Sequence, residues 1–177
     1  MSMDRLSRRA RYLAWVTTAV MVLLPLGTVV FVAGGGVDSA MLRAHYGVAV
    51  MPEALQPGPT LVWLGVEAAR MALLLWIMWC VRRWLVLCSG DQALSPRAAQ
   101  FVVRAGTGLM VLALAHVAGN TVIVGALTWD NPAGQRALSI GFGSTEILLV
   151  LAGCLVTLFG WIQFEAARLR AENEAFV

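Results

Sequence analysis

The chain contains no lysine: all 13 of its basic residues are arginine. Charge of any kind is scarce, at 13% of 177 residues, against 59% hydrophobic residues and a mean hydropathy of +0.76. Soluble domains run at roughly a quarter charged and below half apolar. A soluble chain of this length could bury one good core, but it could not hide this much apolar surface from water. Cysteine is also scarce and odd in number, with Cys80 and Cys154 inside apolar stretches and Cys88 just beyond one. That argues against a disulfide framework and, with no metal-like spacing, against zinc. His45 and His116 are the only histidines, and neither has a neighbouring ligand pair for a haem or metal. There is no nucleophile elbow, no phosphate-binding glycine loop after a strand and no HExxH. The expectation is a chain without enzymatic activity and without a cofactor.

Apolar length is abundant. Spanning the hydrocarbon takes roughly 20 mostly apolar residues, because a helix rises about 1.5 Å per residue across about 30 Å. Four stretches qualify, at about 12–33, 60–81, 105–129 and 138–164. They are too long and too evenly apolar for strands of a membrane barrel. The expected fold class is all-α: one polytopic membrane domain, 1–177, built as a four-transmembrane-helix bundle. An outer loop covers 34–59, a cytoplasmic connection 82–104 and a cytoplasmic helical tail 165–177. The first apolar run is longer than the roughly 7–15 residues of a signal-peptide core, which predicts an uncleaved first helix.

Arginine placement predicts orientation, because short basic segments resist translocation. Arg5, Arg8, Arg9 and Arg11 precede the first span; Arg82, Arg83, Arg97 and Arg104 lie between the second and third; Arg168 and Arg170 follow the fourth. The two opposite connections hold only Arg43 and Arg136, and Arg70 is intramembrane. Both termini and the middle connection are therefore expected in the cytoplasm. The same bias accounts for the net charge of +3 without nucleic-acid binding, and it favours anionic lipid headgroups.

Local signals refine this layout. In the outer loop, Asp38 or Ser39 is placed to cap a short helix through Tyr46. Ser95 followed by Pro96 marks the start of the third long helix. Arg97 and Arg104 fall seven apart on one face near the headgroups, as snorkelling anchors or as contacts for a cytoplasmic partner. Beyond the fourth span, Arg168 has partners at Glu172 (i,i+4) and Glu165 (i,i+3), as on a solvated helix. Phe176-Val177 ends the chain as a docking point or a frayed terminus. Pro25 predicts a kink whose freed carbonyl Thr28 could satisfy. Gly106, Gly108, Gly119 and Gly125, with Gly141, Gly143, Gly153 and Gly160, predict close approach of the third and fourth spans, or else a homodimer face. Trp15, Trp63, Trp84, Trp129 and Trp161 fall near span ends, where interfacial anchors sit. Trp76 and Trp79 fall deeper, as packing residues.

Four spans, the basic connection LVLCSGDQALSPRAAQFVVRAG and the acidic end ARLRAENEAFV together resemble the bacterial membrane family known as domain of unknown function 2975. Its members show a glycine, a Phe or Leu before Ser or Thr, an alanine and a Leu-Arg-x-Gly run entering the third span. Gly90, Leu94, Ser95, Ala99, Arg104 and Gly106 fit this pattern. Glu172, Asn173 and Glu174 match the polar part of the family's closing motif, while Ala175-Phe176-Val177 stands where Leu-Thr-Ile is usual. The resemblance implies a four-helix protein of the bacterial inner membrane, often encoded near small helix-turn-helix regulators, and it implies no activity.

Polar residues inside the spans carry the most information, since a central Arg or Asp costs about 2.5–3.5 kcal/mol on insertion scales. These are Glu67 and Arg70 in the second span, His116 and Asn120 in the third, and Glu146 in the fourth. At about 1.5 Å per residue all five fall at similar depths in the outer half. The i,i+3 and i,i+4 spacings put each pair on one face. One interior cluster is expected, with a net charge of −1 when histidine is neutral, a balance suited to titration near neutral pH. It reads as a register-fixing network, as a ligand, ion or proton site, or as a surface completed by a partner's helix. Two function classes follow. One is an interaction protein, sequestering a helix-turn-helix regulator through 82–104 and 165–177 or giving immunity to a membrane-targeting toxin through the outer loop and cluster. The other is a small transporter, channel or ligand or pH sensor using Glu67, Arg70, His116 and Glu146.

Overall fold

With no water to satisfy backbone N–H and C=O groups, a chain in lipid closes them within helices. The computed structural model describes residues 3–47, 57–90, 95–132, 136 and 138–175. It consists of α1 (Met3–Ala33), α2 (Ser39–Tyr46), α3 (Pro57–Cys88), α4 (Pro96–Thr128) and α5 (Ser144–Ala175). All but α2 are long and apolar enough to cross a membrane, and no strand occurs among the described residues.

Helix ends follow local chemistry. Ser95 Oγ accepts from the Ala98 N–H at 3.2 Å, with Pro96 in the first turn, as expected. Asp38, rather than Ser39, caps α2, accepting from the Met41 N–H at 2.6 Å. Gly47 ends α2 at φ 65°, a left-handed geometry that glycine adopts without strain. Three boundaries depart from the sequence reading. Helix α1 reaches back to Met3, and α3 continues through Arg82 and Arg83 to Cys88. Helix α5 starts at Ser144, six residues after Leu138, because the Gly141-Phe142-Gly143 run disfavours helix. Helix α1 runs through Pro25, and the Thr28 hydroxyl donates to Leu24 O at 3.0 Å, not to a carbonyl freed by the proline. The expectations for Leu94 and for Phe176-Val177 lie outside the described residues.

Helix α4 is central, packing on α3 and on α5, while α1 packs on α3. The long helices thus stand in an open row, α1–α3–α4–α5, with no substantial contact closing α1 onto α5 among the described residues. The close α4–α5 approach is present. A Cβ on Gly153 would lie 2.7 Å from Gly106 O and 3.1 Å from Met110 N, and one on Gly160 would lie 2.8 Å from Val103 N. Backbone meets backbone there. Gly108 and Gly119 face α3 instead, whereas Gly125 and Gly141 meet nothing within 4 Å and Gly143 meets only Glu146.

Two apolar clusters bind the row. Ile77, Cys80, Ala105 and Leu112 join α3 to α4. Leu42, Trp63, Ile123, Val124 and Leu127 fasten α2 over the far ends of α3 and α4. Trp63 is therefore a core residue, not an interfacial anchor, because α2 covers it; Trp76, in contrast, is 41% exposed. Trp15, Trp129 and Trp161 are exposed, as anchors are. At the other end, Arg82 Nε donates to Thr18 Oγ1 at 2.7 Å, tying α1 to α3. The start of α1, the end of α3, the start of α4 and the end of α5 all lie at that basic end, opposite α2.

Candidate functional site: a buried arginine network

Arg70 sits at the centre of the intramembrane polar residues. Glu67 precedes it by three residues, so both side chains share the α3 face that meets α4. Gly119 makes the approach possible: a Cβ there would collide with Arg70 Nη2 and stand 2.9 Å from Cζ. The guanidinium lies against the α4 backbone at Gly119. Nη1 pairs with Glu67 Oε1, and Nη2 donates to His116 O and Asn120 Oδ1, each at 2.9 Å. Nε points to Ala115 O at 3.5 Å. Each backbone carbonyl has a second lone pair to give. Arg70, 8% exposed, thus has acceptors on every nitrogen.

The network continues to α2. Tyr46 Oη donates to Glu67 Oε1 at 3.1 Å and accepts from Trp63 Nε1 at 3.2 Å. Burial raises the Tyr46 phenol above its ordinary pKa, and the Glu67 charge adds to the rise. One connected chain therefore links three helices, with Glu67 and Arg70 cancelling in charge.

The structure brings together Glu67, Arg70 and Asn120, but not the other two expected members. Glu146 is nearly buried, yet its Oε2 accepts from the Gly143 N–H at 2.8 Å, capping its own helix. The late start of α5 explains this: it moves Glu146 about 9 Å toward the helix N-terminus relative to a start at Leu138. His116 contributes only its carbonyl. Its ring Nδ1 lies 3.1 Å from Leu112 O, one turn back on α4, and since a carbonyl only accepts, Nδ1 carries the proton. The expected charge of −1 is accordingly zero in the joined group.

Tyr46, Trp63 and Gly119 belong to the site and were not expected there. Trp63 stands four residues before Glu67, so its share of that face was readable from spacing. Tyr46 and Glu67 stand 21 residues apart in sequence, so their contact had no local signal. Gly119, read only as a packing residue, is the cradle for the guanidinium.

The remaining candidates lie at the basic end. Arg168 Nε donates to Glu172 Oε1 at 3.0 Å and its Nη1 lies 3.9 Å from Glu165 Oε1, all three residues exposed on the far end of α5. Pairs this exposed are screened by solvent and contribute little to stability. Arg104 lies over the Phe101 ring at 5.9 Å, and Arg97 lines a cavity between α3 and α4. Among the described residues no group of His, Cys, Asp and Glu is arranged to hold a metal ion. Comparison of the chain with protein-family models, curated proteins and solved structures found no match.

Proposed function

We propose that this chain is a non-enzymatic multi-pass protein of the bacterial inner membrane, with both termini cytoplasmic, that binds another protein at its cytoplasmic face. The observation that carries this is on α5. The helix continues unbroken past its apolar span to Ala175, and one face of it carries Ile162, at the end of the span, with Ala166 and Leu169 beyond it. Ile162 and Leu169 are 59% and 53% exposed, whereas Ala167, on the face toward α4, is buried. An apolar line at i, i+4, i+7 beside Glu165, Arg168 and Glu172 is the pattern by which an amphipathic helix docks on a partner. The arginine bias supports the orientation.

This favours the regulator-sequestering version, through residues 82–104 and 165–177. The toxin-immunity version asks the intramembrane cluster to offer polar groups, and the donors of Arg70 are already engaged. One observation favours the sensor or transporter class: the His116 ring has no partner for Nε2 among the described residues. A second copy of the chain is the other occupant the α5 face would accept.

Photo-crosslinking in intact cells tests the reading. A crosslinker at Ala166 or Leu169 is expected to give a discrete heterologous adduct, and one at Leu61 or Leu114, on exposed apolar faces, is not. Adducts of twice the chain mass would replace the partner with a homodimer. Crosslinking to lipid alone at all four positions would refute the proposal.

A further inference from the structure

Between the end of α3 and the start of α4 lies a cavity of about 220 Å³, lined by Trp79, Arg83, Val86, Leu87, Arg97 and Phe101. Two helices each send one arginine to it. Arg83 Cζ lies 5.3 Å above the Trp79 ring, and Trp79 meets Phe101 edge to face at 5.7 Å. The aromatic pair forms an apolar wall and holds one guanidinium over it. No acidic side chain lines the cavity, and neither Arg83 nor Arg97 has a carboxylate partner among the described residues. Two positive charges thus converge, with no carboxylate partner among the described residues, where apolar helix gives way to basic helix.

We infer that this cavity binds the phosphate of an anionic glycerophospholipid. Arginine's planar fork matches phosphate oxygens, and Arg83 and Arg97 approach from opposite helices as a clamp. Trp79, Phe101 and Val86 face the glycerol and the first acyl carbons. The volume falls below the roughly 300–1,000 Å³ of sites for whole drug-sized ligands, so it takes a headgroup and leaves the chains in the bilayer. Arg82, next in sequence, is instead committed to Thr18, so the clamp is specific to two of the basic residues at this end. The inference is independent of which protein, if any, docks on α5.

The test is native mass spectrometry of the full chain, purified in mild detergent, delipidated and titrated with phosphatidylglycerol or phosphatidylcholine. The wild type is expected to retain one phosphatidylglycerol through activation that strips phosphatidylcholine. The double substitution Arg83→Gln/Arg97→Gln is expected to weaken that binding about 25-fold, two arginines at about fivefold each. The control Arg168→Gln/Arg170→Gln, at the same end but outside the cavity, should bind as the wild type. Both arginines of the clamp are exposed, and unchanged unfolding in detergent will confirm that the variant folds. Equal loss in clamp and control variants, equal retention of phosphatidylcholine, or displacement of the lipid by millimolar inorganic phosphate would overturn the site.

Discussion

Replacing Arg70 by methionine keeps much of the side chain's length and removes its charge and every donor. The loss has two parts. Bonds to His116 O, Asn120 Oδ1 and Ala115 O disappear, and hydrogen bonds inside membranes average about 0.6 kcal/mol each, so together they amount to about 2 kcal/mol. Glu67 is then left without its cation, and breaking a buried ion pair costs about 3–5 kcal/mol in all. Glu67 keeps 33% of its side chain exposed, which places the expected loss near 3 kcal/mol. The double variant Glu67→Gln/Arg70→Met removes both charges and should lose only about 2 kcal/mol, less than Arg70→Met alone. Unfolding in mixed micelles of increasing dodecyl sulfate, followed by tryptophan fluorescence, measures each value. A loss below 1 kcal/mol for Arg70→Met, or a double variant less stable than the single one, would refute the network as a register lock.

Four further outcomes are expected. Gly119→Ala pushes the guanidinium off α4 and should cost about 1–3 kcal/mol in the same assay, while Gly125→Ala, which meets nothing, should be neutral or stabilising. Gly153→Val forces α5 from α4 where backbone meets backbone, and it should destabilise by more than Gly119→Ala, read as a lower unfolding midpoint. Ser95→Ala removes the cap of α4 and should cost about 1 kcal/mol, against no change for Ser89→Ala outside the helix starts. In a Tyr12→Phe background Tyr46 is the only phenol, and its ultraviolet titration should fall above that of a free tyrosine. Because the fold raises this pKa, the contribution of Tyr46 is complete below the free-phenol value and is lost as pH climbs through the raised one. Titration at or below the free value would contradict its burial against Glu67.

Much of the fold was legible because its signals are local. Apolar length marks the spans, and Ser95-Pro96 marks a helix start through hydrogen bonding within one turn. Spacing also brought out Glu67, Arg70 and Asn120, since helical periodicity carries information for several turns. It misplaced Glu146 because depth was counted from Leu138, and two glycines delay the helix to Ser144. It missed Tyr46 because α2 packs over α3 in a tertiary contact that leaves no periodic trace. It left the packing order α1–α3–α4–α5 unspecified, since helix number does not say which helices touch. The glycines were read as a contact between the third and fourth spans or as a homodimer face, yet they serve several settings: Gly106, Gly153 and Gly160 join α4 to α5, Gly119 receives Arg70, and Gly125 meets nothing within 4 Å.

We propose that the protein acts through the exposed end of α5 while the arginine network holds its shape. Tagged wild type, Leu169→Asp and Glu67→Gln/Arg70→Met should be recovered side by side in gentle detergent from the native host, with co-purified proteins identified by mass spectrometry. One partner is expected, shared by the wild type and the network variant and lost from Leu169→Asp. A partner lost from the network variant and kept by Leu169→Asp would contradict it, and would move the functional site to Glu67 and Arg70.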